Sequence, residues 1–316
     1  MDKQILGFLN LNKPGGMTSH DAVNRVRRLT RIKHTGHGGT LDPMAVGVLP
    51  VAVGSACRLL RYLSGGKAYK AEILLGRRTT TDDTEGETME GSEPVEIPSA
   101  ESVKQALQRF VGDIDQVPPM YSAIHHEGER LYALARKGAV IEAIPARPVH
   151  IGSIEFISYV VHEDRREATA TVRIACGSGT YIRSIARDLG DALGCGACLS
   201  GLVREQSGPF FLSDSIELKQ LEEASATGDW QHHLIAPEIA LSEMRHIEVD
   251  EALGKRISVG QKINVAHLPA GFPPYAGAPA ELRMLVTAGA RLLSVCRFED
   301  DILRSEVVIN RATETV

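Results

Sequence analysis

The chain has 316 residues, of which 43% are hydrophobic and 24% charged, and its net charge is −5, a composition typical of globular proteins. This length predicts about two domains, because single cores seldom grow beyond roughly 250 residues. Five cysteines, an odd number in a long chain, argue against a disulfide scaffold and for a reducing compartment. The longest uncharged run, residues 43–57, is too short and too interrupted by glycine and proline to span a bilayer. We therefore expect a cytoplasmic protein that does not enter a membrane.

The first predicted helix begins near residue 18. Thr18 and Asp21 have the spacing of a capping box, and an apolar stripe follows from Ala22 to Leu29. Another face of this helix carries three basic side chains, which are Arg25, Arg28 and Arg31. Positions 22–80 together hold eleven basic and two acidic residues. Such a block suits a polyanionic partner, but composition alone favours an ordinary solvated surface equally.

The middle of the chain contains one clear strand and two irregular segments. Residues 69–75 predict a strand. Residues 81–100 are acidic with few apolar positions, which indicates a loop. Residues 116–145 contain a proline pair and a run of charged residues and histidines, which predicts a long irregular insertion. Such insertions in compact domains are usually functional or disordered.

The second half of the chain changes from mixed structure to short strands. Alternating apolar residues predict a strand at 167–175, and this strand leads into a helical pattern at 180–194. Residues 211–245 resemble a helical connector. The tail, 246–316, has short alternating runs separated by glycine and proline turns, which predicts a small β-barrel or sandwich.

No cofactor or metal motif is complete. The glycines at 36–39 are not followed by the Gly-Lys-Ser/Thr of a phosphate loop, and the run at 176–182 lacks the last glycine of a dinucleotide fingerprint. Cys195 and Cys198 form a CxxC pair without a second pair of ligands, so packing explains them better than zinc does. We therefore expect neither a metal nor a cofactor.

Asp42 is the strongest isolated candidate for chemistry. An aspartate before a proline is commonly a turn residue, and without other information that interpretation is favoured. Against it stand the preceding glycines, which allow a ligand to approach the backbone, and His37 five positions upstream. The apolar run after Asp42 would fix its loop on a buried element. An ionised aspartate can act as a nucleophile or a base without a partner to activate it.

Several motifs resemble, in order and spacing, the TruB family of tRNA pseudouridine synthases. The resemblance covers residues 7–215, and its motifs are LNKPGGMTS (11–19), GHGGTLDPMAVGVLP (36–50), KAYKAEILLGRRTTTDDTEG (67–86), QVPPMYSA (116–123) and GSGTYIRSIARDLG (177–190). It implies an α+β catalytic domain over 1–240, built on a mixed, mainly antiparallel sheet with flanking helices. It also implies that 116–145 is an RNA-binding insertion. The tail, 246–316, resembles the small β-barrel PUA-type RNA-binding module.

The resemblance also implies roles for individual residues. Asp42 would be the catalytic aspartate, with Arg183 as its charge partner, and Tyr69 would stack on the target uracil and handle a proton. The substrate contacts would come from four further side chains, which are His37, Asp83, Tyr181 and Leu202. Lys13 and Pro14 would brace the strand that carries Tyr69. We expect phosphate contacts from the basic side chains Arg25, Arg28, Arg31, Lys67, Lys70 and Arg77.

The implied activity is conversion of uridine 55 in the TΨC arm of tRNA to pseudouridine, without a guide RNA, a cofactor or a metal. Two alternatives stay open: a catalytically silent RNA-binding or chaperone protein on the same fold, and a hydrolase that releases uracil. Thr80 and His125 depart from the family pattern, which usually has aspartate and lysine there, so two polar contacts are in doubt. No exposed apolar stripe is evident, which favours a monomer.

Overall fold

The computed structural model describes residues 5–63, 65–89, 96–122, 125–126, 129–130, 144–268, 282–289 and 291–309. Most of the predicted insertion at 116–145 therefore lies outside the described residues. Its first residue, Gln116, belongs to a strand, and two short strands pair as a hairpin, β6 (His125–His126) and β7 (Glu129–Arg130).

A ten-stranded mixed sheet forms the larger part of the chain. Its strands are β1 (Leu6–Lys13), β2 (Thr35–His37), β3 (Val46–Gly54), β4 (Lys67–Leu75), β5 (Gly112–Gln116), β8 (Arg147–His162), β9 (Glu167–Cys176), β10 (Ala197–Ser207), β11 (Phe210–Phe211) and β12 (Ile216–Glu217). The main strand order is β12-β1-β3-β10-β4-β9-β8-β5, with β2 paired to β3 and β11 to β10. Only the β1–β12 and β3–β10 pairs are parallel. The predicted α+β class and mainly antiparallel sheet are therefore confirmed.

Helices flank this sheet. They are α1 (Ser19–Thr30), α2 (Ala100–Leu107), α3 (Ile182–Leu193), α4 (Leu218–Thr227) and α5 (Pro237–Ala240). Short 3-10 helices occupy Ser55–Tyr62, Gln108–Phe110, Leu212–Asp214, Asp229–His233 and Val265–His267. One core packs Val26 of α1, Leu107 of α2 and Ile185 of α3 against Ile73 and Ile174 of the sheet. The capping box predicted for α1 is present, since Thr18 and Asp21 bond each other reciprocally.

The C-terminal part forms a second, five-stranded sheet. Its strands are β13 (Arg245–Glu248), β14 (Ile263–Asn264), β15 (Leu282–Ala288), β16 (Arg291–Glu299) and β17 (Ile302–Val308), in the order β13-β15-β16-β17-β14. The sheet curls as a half-barrel, consistent with a PUA-like domain. One helix, α6 (Glu251–Ser258), packs on it, although the sequence pattern predicted strands alone. A shared core joins Phe8 and Val48 of the first sheet to Leu285 and Val295 of the second.

One glycine lets two strands of the first sheet meet closely. Gly47 of β3 pairs with Arg204 of β10 at a φ of +103°. A Cβ atom at Gly47 would lie 2.4 Å from the carbonyl oxygen of Arg204. This approach joins the strand after Asp42 to the strand that carries Leu202.

We expect Gly47→Ala to destabilise the protein more than Gly112→Ala, which is a matched control. Gly112 has a φ of +105° but nothing within 4 Å of its Cβ position. Both changes impose backbone strain of roughly 1–3 kcal/mol. Gly47→Ala adds about 1–3 kcal/mol of steric overlap. Urea unfolding of both variants measures the difference, and equal losses would contradict the close approach.

Candidate active site

Asp42 lies in the loop between β2 and β3, and its neighbours fix that loop on the core. Leu41 and Ala45 are buried, with 3% and 0% exposure. The Ser19 hydroxyl in the first turn of α1 donates to the Leu41 carbonyl at 3.0 Å and accepts from the Leu41 N–H at 2.8 Å. The Asp42 side chain stays 29% exposed. The carboxylate therefore faces outward from a loop whose flanking residues are anchored.

Arg183 supplies the charge opposite Asp42. It lies in the first turn of α3 and its side chain is 5% exposed. Its Nη2 donates to Oδ1 of Asp42 at 2.9 Å, and its Nε lies 2.9 Å from Oδ2 without the alignment of a hydrogen bond. The same guanidinium donates to the carbonyls of Tyr121 at 2.9 Å and Thr81 at 3.1 Å. These contacts fix the guanidinium so that it can orient the carboxylate.

Asp83 is a second carboxylate beside the same guanidinium. Its Oδ2 lies 3.6 Å from Nη1 of Arg183, and the residue is 4% exposed. Oδ1 accepts from the Thr81 hydroxyl at 2.5 Å and from the Glu85 N–H at 3.1 Å. All these contacts are internal, and the predicted contact of Asp83 with an RNA loop stays a prediction.

Two neighbours of Asp83 also stabilise this part of the chain. Asp82 contacts α3, and Thr80 forms a hydrogen bond within the turn. Asp82 forms an ion pair of 3.1 Å with Arg187, one helical turn beyond Arg183. Thr80, where the family pattern has aspartate, accepts from the Glu87 N–H at 3.2 Å. Thr80 thus lacks the carboxylate of the family pattern, but Asp82 two positions later has one, and this carboxylate contacts α3. The side chain of His125 lies outside the described residues.

Tyr69 and Leu202 lie on the buried face of the sheet. Tyr69 of β4 is 6% exposed and pairs across the strands with Arg204 of β10, while Leu202 pairs with Ala71. Burial raises the pKa of the Tyr69 hydroxyl, and the positive charge of Arg204 opposes this shift. The charge of Asp42 has a smaller effect in the same direction as burial.

Tyr181 immediately precedes α3, and hydrogen bonds to its backbone hold it in place. Gln116 of β5 donates to the Tyr181 carbonyl at 3.0 Å and accepts from its N–H at 2.8 Å. Burial raises the pKa of the Tyr181 hydroxyl. The charge of Arg183 opposes this rise and that of Asp42 adds to it, both as smaller effects.

His37 and Lys67 are half-buried near Arg204. Burial lowers the pKa of both side chains, and the charge of Arg204 lowers each further. Lys67 and Tyr69 lie on the same face of β4, because side chains alternate along a strand. Lys70 is exposed on the opposite face, and Arg77 bonds Glu167 at 2.5 Å. Lys70 therefore lies on the face opposite Tyr69, the charge of Arg77 is offset by Glu167, and the phosphate contacts of both stay predictions.

The predicted arginine face of α1 is only partly present. Arg25 forms an ion pair with Glu222 of α4, which offsets its charge. Arg28 is exposed. Arg31 is also exposed, but it follows the last helical residue with a φ of 60°. Arg28 and Arg31 are consequently the more accessible cations of this predicted surface.

Two buried cations, Lys13 and Arg204, lie near this site, and the sequence analysis expected only a bracing role for Lys13. Lys13 is 0% exposed and donates to the carbonyls of Pro14, Met17 and Pro43 at 2.8, 2.8 and 3.2 Å. The expectation that Lys13 braces the strand of Tyr69 is wrong. Lys13 lies on β1 and Tyr69 on β4, and β3 and β10 separate these two strands. Lys13 instead holds the loop of Asp42. Arg204 is the second of these buried cations and is 1% exposed.

Metal ligands and membrane helices are not found in the described ranges. No group of three or more His, Cys, Asp and Glu side chains there could hold a metal ion. Within the same residues no helix is long and apolar enough to cross a bilayer. Cys195 and Cys198 are free and buried, and burial raises the pKa of Cys198 to about 11. A thiol that resists ionisation is a poor metal ligand.

Comparison with known proteins gives matches over most of the chain. Residues 27–182 match the family model "TruB family pseudouridylate synthase (N terminal domain)". Residues 183–243 match "tRNA pseudouridylate synthase B C-terminal domain". A Synechocystis protein named tRNA pseudouridine synthase B is 45% identical over 97% of this chain and 100% of its own length. A Nostoc protein of the same name is 52% identical over 71% of this chain and 75% of its own.

Solved structures share the fold. An H/ACA RNP bound to a substrate RNA containing 2′-deoxyuridine includes a chain with a TM-score of 0.72 and 23% identity, covering 97% of this chain and 86% of its own. A Cbf5-Nop10-Gar1 complex includes one with a TM-score of 0.71 and 25% identity, covering 96% and 85%.

We expect the stability effect of Lys13 to depend on pH. Burial lowers the pKa of Lys13 from its ordinary 10.5 to about 8. Between these values the unfolded chain binds the proton that the folded chain has released, so the free energy of unfolding rises with pH. Below about pH 8 both states are charged, and the full penalty of the buried charge is present. The rise should reach at most about 3 kcal/mol.

The measurement is the difference in free energy of unfolding between the parent and Lys13→Met at several pH values. From pH 8 to pH 10.5 the free energy of unfolding of the parent should rise relative to that of Lys13→Met. Lys104→Met, at an exposed lysine of α2, is the control and should show no such trend. A difference for Lys13→Met that stays constant over this window would contradict the buried, charged lysine.

Proposed function

The chain belongs to the TruB family of pseudouridine synthases and is an isomerase, and from this premise we propose that it converts uridine 55 in the TΨC arm of tRNA. The names of its relatives support tRNA as the substrate. The observation that carries the proposal is the ion pair between Asp42 and a buried arginine, Arg183.

The reaction exchanges one bond between base and ribose for another. The bond from N1 of uracil to C1′ breaks, uracil rotates, and a bond from C5 to C1′ forms. The proton lost from C5 is balanced by the one gained at N1, so no oxidant, reductant or group donor takes part. Asp42 either attacks the ribose carbon or removes a ribose proton, and both routes need an oriented carboxylate. Arg183 provides that orientation with its fixed guanidinium.

The buried aromatic residues suit a base that has left the helical stack. Extruding a base costs a few kcal/mol, and stacking on an aromatic ring returns about 1–3 kcal/mol. Tyr69 provides such a ring beside Asp42. His37 has a lowered pKa, so its imidazole is neutral near pH 7 and can pack against RNA bases without desolvating a charge. Leu202 and the apolar strand after Asp42 limit the access of water, which favours recapture of the detached uracil.

The RNA backbone is bound by two exposed cations, Arg28 and Arg31, and by the half-buried Lys67. Arg28 and Arg31 lie at the end of α1, and Lys67 lies on the Tyr69 face of β4. The PUA-like sheet extends the protein beyond the catalytic sheet and adds a second RNA-binding surface. We propose that the enzyme acts as a monomer and without a guide RNA, because one chain contributes Asp42, Tyr69 and Arg183 together.

We expect Asp42→Asn to bind tRNA within a few-fold of the parent and to convert it at least about 10³-fold more slowly, because the substitution removes a reacting carboxylate and little volume. The measurement is pseudouridine at position 55 of an unmodified tRNA transcript, with chelator and without added cofactor. If the parent binds tRNA and yields no product, the protein is an RNA binder on this fold. Release of free uracil would instead identify a hydrolase.

We expect Arg28→Gln and Arg31→Gln each to reduce the salt dependence of tRNA binding. Each phosphate contact contributes about 0.7–0.9 to the slope of log K against log salt. The control is Arg165→Gln, whose side chain is 69% exposed in the turn between β8 and β9. Filter binding at several salt concentrations measures the slopes. Equal slopes for all four proteins would contradict a phosphate-binding surface at the end of α1.

A further inference from the structure

Arg204 is buried without an acidic partner. It is 1% exposed and is among the largest fully buried side chains. In the described part of the chain, its guanidinium contacts carbonyl oxygens and no carboxylate. Burying an uncompensated charge is unfavourable by several kcal/mol, so such a residue is retained only where its contacts serve another purpose.

The carbonyls that Arg204 binds lie on both sides of Asp42 in the sequence. Nη2 donates to the carbonyl of Gly39 at 3.1 Å and Nη1 to that of Thr40 at 3.3 Å, three and two positions before Asp42. Nε donates to Val48 of β3 at 2.7 Å, just after the loop. A single guanidinium therefore connects the two ends of the loop that carries Asp42.

The same guanidinium also faces the hydroxyl of Tyr69. Arg204 and Tyr69 are directly opposed in the β10–β4 pair, which places their side chains on one face of the sheet. The charge of Arg204 and a hydrogen bond from it both lower the pKa of Tyr69, against the larger effect of burial. Two other groups near the hydroxyl, Cys176 of β9 and Asp42, raise that pKa. Arg204 is the cation that favours ionisation of this phenol.

We propose that Arg204 is a positioning residue that connects the loop of Asp42 to the hydroxyl of Tyr69 and so places both groups at the target nucleotide. This role rests on the proposed function, in which Tyr69 handles a proton and Asp42 reacts at the ribose. Because Arg204 is buried, it acts through these two residues and not by binding RNA. Lysine would keep the positive charge but not the planar arrangement of donors that reaches Gly39, Thr40 and Val48.

The test compares the parent with Arg204→Met and Arg204→Lys. We expect kcat to fall by about 10²-fold in Arg204→Met, as for other displacements of reacting groups by about 1 Å. KM for tRNA should stay within about twofold of the parent in both variants. Arg204→Lys should recover part of the lost kcat. Unchanged kcat in both variants overturns the proposal.

A second measurement does not depend on activity. A fluorinated tyrosine at position 69, whose phenol ionises nearer to neutral pH, is titrated by ¹⁹F NMR in the parent and in each Arg204 variant. Arg204→Met should reduce the ionised fraction at a given pH by about tenfold. Identical titrations in the parent and Arg204→Met overturn the proposal. If the parent does not modify tRNA, the proposed function fails, and this titration still tests the contact.

The control is Arg173→Met. Arg173 of β9 is opposite Lys70, on the other face of the sheet, and forms ion pairs with Glu155 and Glu205. The substitution Arg173→Met should leave kcat, KM and the titration at position 69 unchanged. If Arg204→Met does not fold, Arg204→Lys is decisive: a reduced kcat with an unchanged KM supports the proposal, and parent-like kcat overturns it.

Discussion

The contact between Arg183 and Asp42 is the interaction on which the site depends. A guanidinium with 5% exposure needs all its donors directed at acceptors, so the structure around it has little freedom. Nη1 and Nη2 meet it through the carbonyls of Thr81 and Tyr121 and the carboxylate of Asp42, while Nε lies 2.9 Å from Asp42 without a hydrogen bond. Three separate segments thus meet at one side chain of α3, and the position of Asp42 follows from their packing.

Three cations are buried around Asp42. They are Lys13, Arg183 and Arg204, and the carboxylates of Asp42 and Asp83 contact Arg183. The chain as a whole is acidic, with a net charge of −5. Buried cations in a chain that is acidic on average suit a polyanionic ligand at this one place. The total charge of the sequence gave no indication of this, since it averages over both ends of the chain.

Local features were predictable from the sequence, and contacts between distant residues were not. The cap at Thr18 and the alternation at 167–175 depend on neighbouring residues, and the structure has both. The pairing of Asp42 with Arg183 came from family resemblance, because nothing local links them. Lys13 and Arg204 bind backbone carbonyls, which any residue type provides, so their partners leave no pattern to detect. The position of Lys70 on the face opposite Tyr69 follows from the sequence of the strand alone, since adjacent strand residues point to opposite faces.

The separation of Asp42 and Arg183 along the chain has a consequence for folding. Asp42 and Arg183 are 141 positions apart, and β10, which brings Arg204 to β3, comes later still. Contacts between such distant segments form slowly, because a long stretch of chain must first be ordered. The site is therefore assembled only when the central strands have paired. A nascent chain that ends before β10 contains Asp42 and Tyr69 but lacks the strand that lies between β3 and β4, so the candidate site can form only after β10 has been synthesised.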